Sequence, residues 1–286
     1  MPDRTGSGKA SLGKARLETT WPDQGRFDRA AFVRPIAHRG LHNAKAGIIE
    51  NTAPAFQAAL AKGYGIELDL RPAADGTPIV FHDLALSRLI DAPGLISDLA
   101  AKDIARLRYR ASKTTAHPIT FAELLELAGG QGPILAEIKS EWAPPDTAFL
   151  KAIAKLAKAY KGPLAIMSFD PAMIAGIKDL APKVPRGIIS GVYQGDDWWL
   201  DQLDAERAFR LSQLIESGPA APDFFAYHVK DLPTPVTRFL REGLGYPLYT
   251  WTVRTAADLA TARAWTDAPI FEGLDLDMPP SPNLSP

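Results

Sequence analysis

The sequence predicts an α/β fold built from repeated βα units, and its length suits a single (β/α)8 barrel. Short apolar runs alternate with helical patterns, which is typical of a parallel sheet covered by helices. The chain has 286 residues, 46% of them hydrophobic, and a barrel of about 250 residues would use most of it. Two smaller domains would also fit this length, but no low-complexity linker divides the chain.

Nine apolar runs have the length and composition of β-strands. An eight-stranded barrel needs one fewer, so we expect one of the nine to be accessory. The runs are residues 33–37, 65–70, 78–81, 134–138, 164–168, 186–189, 224–227, 248–252 and 270–274.

Eight segments between these runs have helical patterns. Thr52, Ser97, Thr120 and Thr255 stand where N-caps are wanted, and Glu123 follows Thr120 at capping-box spacing. A proline at position 171 suits the first turn of a helix. The predicted helices are residues 53–62, 97–107, 120–128, 146–160, 171–180, 199–217, 235–242 and 256–265.

The two ends of the chain lack sustained periodicity. We therefore predict a flexible arm over residues 1–30, a barrel domain over 31–278 and a short tail over 279–286. Residues 1–20 lack the apolar stretch of a secretory signal. No window approaches the roughly 18 apolar residues of a membrane span. These features predict a cytoplasmic protein without an integral membrane segment.

Charge and cysteine content exclude several classes of function. The chain has 32 Lys and Arg against 33 Asp and Glu, and its formal net charge is −1. No general attraction to nucleic acid is expected, so any recognition of an anion must be local. The absence of cysteine excludes a disulfide framework, a thiolate metal site and a cysteine nucleophile.

Polar and ionisable residues collect where the predicted strands end. Because the carboxyl ends of barrel strands converge on one rim, these residues are expected to become neighbours and form the active site. The clusters are His38-Arg39, Glu67-Leu68-Asp69, His82-Asp83, Glu137-Ile138-Lys139 and Trp251-Thr252.

Three carboxylates predict a metal site at this rim. Glu67 and Asp69 are two residues apart on a strand, so their side chains share a face, and Glu137 ends another strand. Such a cluster is repulsive unless a cation lies within it. Oxygen ligands fit Mg2+ or Ca2+, with Mn2+ as a further choice. The alternative is that these carboxylates form structural ion pairs with Lys139, Arg39 and Arg71.

Two histidines at strand ends, His38 and His82, are candidates for proton transfer, because imidazole titrates near neutral pH. Arg39 and Lys139 would suit the oxygens of a phosphate. His42 and His228 also lie near the predicted rim and could line the pocket, but the interpretation that neither has a function in the site is favoured.

Aromatic residues could line the mouth of the site. The candidates are Phe169, Tyr193, Trp198, Trp199 and Trp251. Core packing is an equal alternative for Trp251, and the Trp198-Trp199 pair could simply begin a packed helix.

Taken in order, these motifs resemble the glycerophosphodiester phosphodiesterase family. The resemblance covers about residues 33–278 and is specific because the spacing of the whole ordered set matches. The matching stretches are Ile36-Ala37-His38-Arg39-Gly40, Glu50-Asn51-Thr52, Glu67-Leu68-Asp69, Asp75-Gly76, Val80-Phe81-His82-Asp83, Glu137-Ile138-Lys139, Ser168-Phe169 and Trp251-Thr252-Val253.

The resemblance implies a TIM barrel of the PLC-like phosphodiesterase type. It implies a metal-dependent enzyme that hydrolyses a glycerophosphodiester, a small-molecule substrate, to an alcohol and sn-glycerol 3-phosphate. The residue roles that it implies are a general acid and base (His38 and His82), metal ligands (Glu67, Asp69 and Glu137), phosphate contacts (Arg39 and Lys139) and a motif that shapes the rim (Glu50 and Asn51).

Two segments depart from the family pattern, Arg71-Pro72-Ala73-Ala74 and the closing Glu272-Gly273-Leu274-Asp275-Leu276-Asp277. Neither departure involves a proposed catalytic residue, so we expect them to affect substrate preference rather than activity. Two alternatives stay open: a related phospholipase D-like barrel that acts on lysophospholipids, and an inactive barrel that only binds a ligand. The first would favour a secretion signal and disulfides, and the second would favour substitutions at the catalytic positions.

Overall fold

The computed structural model describes residues 26–110, 116–194 and 202–276 as a closed parallel barrel surrounded by helices, which confirms the predicted fold class. The strands in this part of the chain are β1 Ile36–Ala37, β2 Gly65–Pro72, β3 Pro78–Val80, β4 Ile134–Ile138, β5 Leu164–Ser168, β6 Arg186–Ser190, β7 Phe224–His228, β8 Leu248–Val253 and β9 Ala268–Phe271. They lie in the order β1-β9-β8-β7-β6-β5-β4-β2-β3, and pairing of β1 with β2 closes the barrel.

The accessory strand is β3, which pairs antiparallel with β2 while all other pairings between strands are parallel. This corrects one step of the sequence argument, because His82 does not follow a barrel strand. Strand β2 extends to Pro72, and β3 returns beside it from Pro78. The Phe81 amide then donates to the Asp69 carbonyl at 3.0 Å. The return strand therefore brings His82 back to the level of Asp69.

Nine α-helices are described in these ranges. They are α1 Arg29–Phe32, α2 Ala53–Ala61, α3 Ala101–Ile104, α4 Phe121–Ala128, α5 Thr147–Ala159, α6 Pro171–Leu180, α7 Ala205–Ser212, α8 Pro235–Arg238 and α9 Ala256–Trp265. The capping box predicted at Thr120 is formed, and Thr255, predicted as an N-cap, also forms a capping box with Asp258. Thr52 occupies an N-cap position, but its hydroxyl donates to the Ile49 carbonyl at 2.7 Å instead of capping the helix.

Three helix predictions differ from the structure. Residues 97–107 form only the end of a short 3-10 helix, Ile96–Asp98, and the single turn of α3. Leu99 and Ala100 between them are extended, and the Asp98 carboxylate accepts from the Leu95 amide. Helix α7 starts at Ala205, and residues 199–201 lie outside the described part. After Arg238 the predicted helix 235–242 continues as a π-helix, Phe239–Gly243.

The amino-terminal end of the barrel is closed by aromatic packing. Phe27 stacks on Phe32 with ring centroids 4.6 Å apart, and lies 5.1 Å from the ring of Phe224. The Tyr249 hydroxyl donates to the Phe32 carbonyl at 2.7 Å. The last residues of the predicted arm therefore form part of this base, together with the ion pair between Arg26 and Asp223. Within the described ranges, no helix combines the length and the apolar character needed to cross a membrane.

Candidate active site

A cavity of about 310 Å³ opens at the carboxyl end of the barrel and collects most of the predicted site residues. Asp69 is buried beneath it with no exposed surface. Glu50 and Asn51 contact Arg39 and Asp69 from outside the cavity wall. The lining residues are His38, Arg39, Glu67, His82, Glu137, Lys139, Met167, Phe169, Ile189, His228, Trp251, Thr252, Arg254 and Ile270.

Three buried carboxylates form the floor of this cavity. One ligand oxygen each from Glu67, Asp69 and Glu137 lies within 4.8 Å of the others. Burial, together with the charges of Asp69 and Glu137, raises the pKa of Glu67 well above its usual range. Glu67 Oε1 is buried and has no hydrogen-bond partner among the described residues. A deprotonated Glu67 thus needs a further cation, which fits a hard divalent metal ion.

Two side-chain cations already contact the carboxylates. Lys139 Nζ lies 2.6 Å from Glu137 Oε1 and 2.9 Å from Asp69 Oδ1. Arg39 Nε lies 3.2 Å from Asp69 Oδ2. The structural ion pairs that were the alternative to a metal site are therefore formed by Lys139 and Arg39. Arg71 pairs with Glu141 instead. Three carboxylates and two cations leave a formal charge of −1, so ion pairing does not neutralise the cluster.

The residues that precede α2 hold Asp69 and Arg39 in place. Asn51 Nδ2 donates to Asp69 Oδ2 at 2.7 Å, and the Asp69 amide lies 3.3 Å from Asn51 Oδ1. The Arg39 amide donates to Glu67 Oε2 at 3.0 Å. Arg39 and Asn51 both have φ of 55°, a left-handed conformation that non-glycine residues adopt at a cost and that recurs at functional sites.

The glycine after Arg39 allows helix α2 to approach this turn. Gly40 has φ of +79°, and a Cβ at this position would lie 2.8 Å from the backbone carbon of Ala55. A side chain there would push α2 away from the turn that carries Arg39. Glycine at this position therefore permits the close packing of α2 against the turn of Arg39.

His38 is held by a carboxylate at the end of the last barrel strand. Its Nδ1 lies 3.3 Å from Glu272 Oε1, and its Nε2 lies 3.8 Å from Glu67 Oε2. His42 Nε2 shares the same Glu272 oxygen at 3.1 Å. Burial lowers the pKa of His38 to about 4 although the Glu272 hydrogen bond raises it. His38 is therefore a neutral imidazole at pH 7.

His82 is held by its neighbour Asp83, whose Oδ1 lies 2.7 Å from His82 Nδ1. The His82 carbonyl accepts from Arg71 Nε at 2.6 Å. Arg71 and Glu272 belong to the two segments that depart from the family pattern. Neither segment contains a proposed catalytic residue, but each contacts one of the two histidines. Sequence spacing could not show these contacts, because each one joins separate strands or loops.

The aromatic mouth of the cavity is built around Trp251. Its ring lies 5.1 Å from that of Phe169 and 4.9 Å from that of His228. His228 Nδ1 in turn lies 3.1 Å from Asp231 Oδ2. Trp251 lines the cavity and also packs against the barrel interior. Its predicted place at the mouth of the site is therefore compatible with core packing. Tyr193 is buried in that interior, and Trp198 and Trp199 lie outside the described residues.

Sequence reasoning gave no role to Glu272 or Arg88. The signal for Glu272 was available, because it directly follows the apolar pair Ile270-Phe271, as His38 follows Ile36-Ala37. Arg88 carried no such signal, since it lies in an irregular segment after β3 and is placed only by the tertiary structure. It contacts Glu50 and Asp83 at the edge of the site.

Comparison with curated proteins gives relatives of one kind. Glycerophosphodiester phosphodiesterase 1 from Bos taurus is 40% identical over 82 residues, which is 28% of this chain and 24% of that protein. The chain thus matches about a quarter of the length of such mammalian relatives. Probable glycerophosphodiester phosphodiesterase 1 from Mycobacterium tuberculosis is 27% identical over 270 residues, or 85% of this chain and 89% of the relative.

Solved structures share the fold. A putative glycerophosphoryl diester phosphodiesterase from Silicibacter pomeroyi has a TM-score of 0.67 at 24% identity, covering 87% of this chain and 92% of its own. A phosphodiesterase from Oleispira antarctica, in complex with the product sn-glycerol-3-phosphate, has a TM-score of 0.65 at 22% identity, with coverage of 83% and 92%.

The sequence pattern of the glycerophosphoryl diester phosphodiesterase family matches residues 38–272. This range is most of the chain, and it begins at His38 and ends at Glu272, two residues that contact each other where the neighbouring strands β1 and β9 end. The chain belongs to the glycerophosphoryl diester phosphodiesterase family.

Proposed function

We propose that this protein hydrolyses glycerophosphodiesters to an alcohol and sn-glycerol 3-phosphate. The observation that carries the proposal is the arrangement at the cavity floor, where three buried carboxylates lie beside two histidines, an arginine and a lysine. Family membership and a solved relative in complex with sn-glycerol-3-phosphate support the same chemistry. The substrate is a small molecule that enters at the carboxyl end of the barrel.

Glu67, Asp69 and Glu137 would hold a divalent cation, Mg2+, Ca2+ or Mn2+. When bound, the cation supplies positive charge that offsets the negative charge of the phosphodiester. A divalent ion would change the formal charge of the five-residue cluster from −1 to +1. This value complements the single negative charge of a phosphodiester.

Arg39 and Lys139 are the proposed phosphate contacts. Both line the cavity, and both are fixed by carboxylates that leave donors unused. A guanidinium has five N–H donors and an ammonium has three, so each can donate to a non-bridging oxygen while it keeps its present partner. Donors fixed in advance stabilise the charge that develops on phosphate at little reorganisation cost.

His38 and His82 are the proposed proton-transfer pair. Each uses Nδ1 to contact a carboxylate, Glu272 or Asp83, which leaves Nε2 for the substrate. One imidazole removes a proton from the attacking hydroxyl while the other protonates the leaving alkoxide. The carboxylates fix the orientation of both rings, as in other acid-base pairs that depend on a third group.

A substrate screen tests this proposal. Glycerophosphocholine, glycerophosphoethanolamine, glycerophosphoglycerol and lysophosphatidylcholine are incubated with Mg2+, Ca2+ or Mn2+, and release of sn-glycerol 3-phosphate or lysophosphatidic acid is followed. We expect sn-glycerol 3-phosphate from at least one glycerophosphodiester. Hydrolysis of lysophosphatidylcholine alone would instead favour the phospholipase D-like alternative, and no hydrolysis of any substrate would favour a binding protein.

A further inference from the structure

Arg88 joins two carboxylates at the edge of the active site. Its Nη2 lies 2.7 Å from Glu50 Oε1, and its Nη1 lies 3.0 Å from Glu50 Oε2. On the other side, Nη2 lies 3.1 Å from Asp83 Oδ1 and Nε donates to Asp83 Oδ2. The planar guanidinium thus engages both carboxylates through several donors at once, which an ammonium group cannot do.

Each of these carboxylates also contacts a residue of the proposed machinery. Asp83 Oδ1 lies 2.7 Å from His82 Nδ1. Glu50 Oε1 accepts from Arg39 Nη1 at 2.8 Å. A continuous chain of polar contacts therefore runs from His82 through Asp83, Arg88 and Glu50 to Arg39. It connects a proton-transfer group with a phosphate contact that is distant in sequence.

We propose that Arg88 is a positioning residue that fixes His82 and Arg39 relative to each other. Without the guanidinium, Asp83 and Glu50 would lose their shared partner and gain rotational freedom. His82 would then lose the fixed orientation of its ring. Glu50 would have Arg39 as its remaining cation and would compete more strongly with substrate for it. Arg88 acts through these neighbours, because it does not line the cavity itself.

The ionisation of Glu50 and Asp83 agrees with this role. Burial alone would raise the pKa of Glu50, but hydrogen bonds and charges from Arg88 and Arg39 lower it. Burial alone would likewise raise the pKa of Asp83, but hydrogen bonds and charges from His82 and Arg88 lower it. Both carboxylates are therefore ionised partners of Arg88 near neutral pH.

A purely structural role for Arg88 is less consistent with its environment. Its side chain is 46% exposed, and exposed ion pairs contribute little to stability, about 0–1 kcal/mol. The segment that carries it is held by a separate apolar cluster that includes Phe81, Leu86 and Ile90. Loss of the guanidinium should leave that cluster intact. Its effect is therefore expected on catalysis rather than on folding.

The inference rests on the proposed function, so the experiment has one arm that needs no activity. Arg88→Ala and Arg88→Lys are compared with Arg110→Ala, a control in the same segment. Arg110 is 54% exposed and pairs with Asp91 at 3.1 Å, away from the cavity. Steady-state kinetics uses the best substrate of the screen. Nitrogen-15 NMR follows the imidazole signals in alkaline buffer, with His82 assigned from a His82→Gln variant.

We expect Arg88→Ala to lower kcat/KM about 10–100-fold, the usual cost of losing an outer-shell partner. Addition of guanidinium ion should restore part of the rate. Arg88→Lys should recover less than half of the loss, because an ammonium cannot engage both carboxylates. In a His82→Ala background, Arg88→Ala should cost much less than it does alone, since the two residues act as a unit. Arg110→Ala should match the parent.

In the NMR arm, Arg88→Ala should change the tautomer balance of His82, while Arg110→Ala should leave it unchanged. Unaltered His82 signals together with a kcat/KM within about twofold of the parent, well short of an outer-shell loss, would overturn the inference. Full activity of Arg88→Lys would likewise contradict bridging by the guanidinium. If the parent hydrolyses no phosphodiester, the proposed function fails and the His82 signals alone decide the role of Arg88.

Discussion

The two ends of the barrel are built from the same strands but differ sharply in chemistry. The amino-terminal end is closed by Phe27, Phe32, Phe224 and Tyr249, which pack ring against ring. The carboxyl end instead buries three carboxylates, those of Glu67, Asp69 and Glu137. One end therefore packs aromatic rings, and the other concentrates charge at the candidate active site.

The change from one end to the other takes two residues along a strand. Side chains two apart on a strand share a face, so an inward apolar residue is followed by an inward site residue. This spacing recurs in the pairs Ile36 and His38, Leu135 and Glu137, Ala226 and His228, Tyr249 and Trp251, and Ile270 and Glu272. The apolar layer beneath thus positions the polar layer above it.

The difference between the two ends predicts its largest effect for variants at the carboxyl end. His38→Ala and His82→Ala should each lower kcat about 10²–10⁴-fold, the usual contribution of a positioned acid or base, while folding and metal binding survive. The losses should not multiply in the double variant, because both groups act in one transition state. His117→Ala, in a loop outside the cavity, is the control. A folded His82→Ala protein within about threefold of the parent rate would reject its catalytic assignment.

At the amino-terminal end, removal of an aromatic ring should lower stability and leave activity nearly unchanged. Phe224 is fully buried, so Phe224→Ala should lower the free energy of unfolding by about 3–5 kcal/mol. Its kcat, measured on folded protein, should stay near that of the parent. Phe224→Leu should cost less in chemical denaturation, because it leaves a smaller cavity. A large loss of kcat in stable protein would show that the two ends are coupled.

The period-two pattern explains how much of the site could be predicted. Strand ends alone identified His38, Glu67, Asp69 and Glu137, because a parallel barrel gives all such ends one location. His82 was found for an incorrect reason, since β3 is an antiparallel return strand. Hydrophobic periodicity does not distinguish a barrel strand from a hairpin partner.

Residues in irregular segments could not be found in this way. Arg88 is placed by an apolar cluster and by partners that are 38 and 5 residues away in the chain. The failed helix at residues 97–107 has a related cause, since Ile96 and Ile104 are buried against β3 and its surroundings. Tertiary packing there overrides local helix propensity.

An intermediate effect is predicted for the metal site. Glu137→Gln removes one of the three carboxylates that would surround the cation, and it should weaken metal affinity about 10–100-fold or more, since even outer-shell losses reach that range. Stabilisation of the parent by Mg2+, Ca2+ or Mn2+ in a thermal unfolding assay should shrink accordingly. Glu126→Gln, on the exposed face of α4, is the control. Chelated parent that hydrolyses its best substrate at full rate would exclude a required metal.

A smaller effect concerns acid stability at α9. Burial would raise the pKa of Asp258, but hydrogen bonds from Lys230, Thr255 and the Arg254 amide lower it to about 2. Because the folded-state pKa is below the unfolded value of about 3.9, its stabilisation is complete above that value and is lost as the pH falls toward 2.

The variant Asp258→Asn should therefore lower the free energy of unfolding at pH 7 by about 1 kcal/mol, the usual cost of a lost cap. The difference from the parent should shrink in acid. Asp91→Asn, whose side chain is 90% exposed, controls for the change of charge. An equal loss for Asp258→Asn at all pH values would contradict the ionic origin of the effect.

The smallest effect is predicted for the amino-terminal arm, and it sharpens where the stabilising end of the barrel begins. Deletion of residues 1–20 should leave kcat and melting temperature nearly unchanged, because the composition of that segment predicts no packed element. Deletion of residues 1–27 removes the ring of Phe27 from Phe32 and Phe224, together with the ion pair of Arg26 and Asp223. The longer deletion should lower the free energy of unfolding by about 3–5 kcal/mol, as does the loss of a buried phenylalanine side chain. A large drop in melting temperature after the shorter deletion would place the boundary of the base before residue 20.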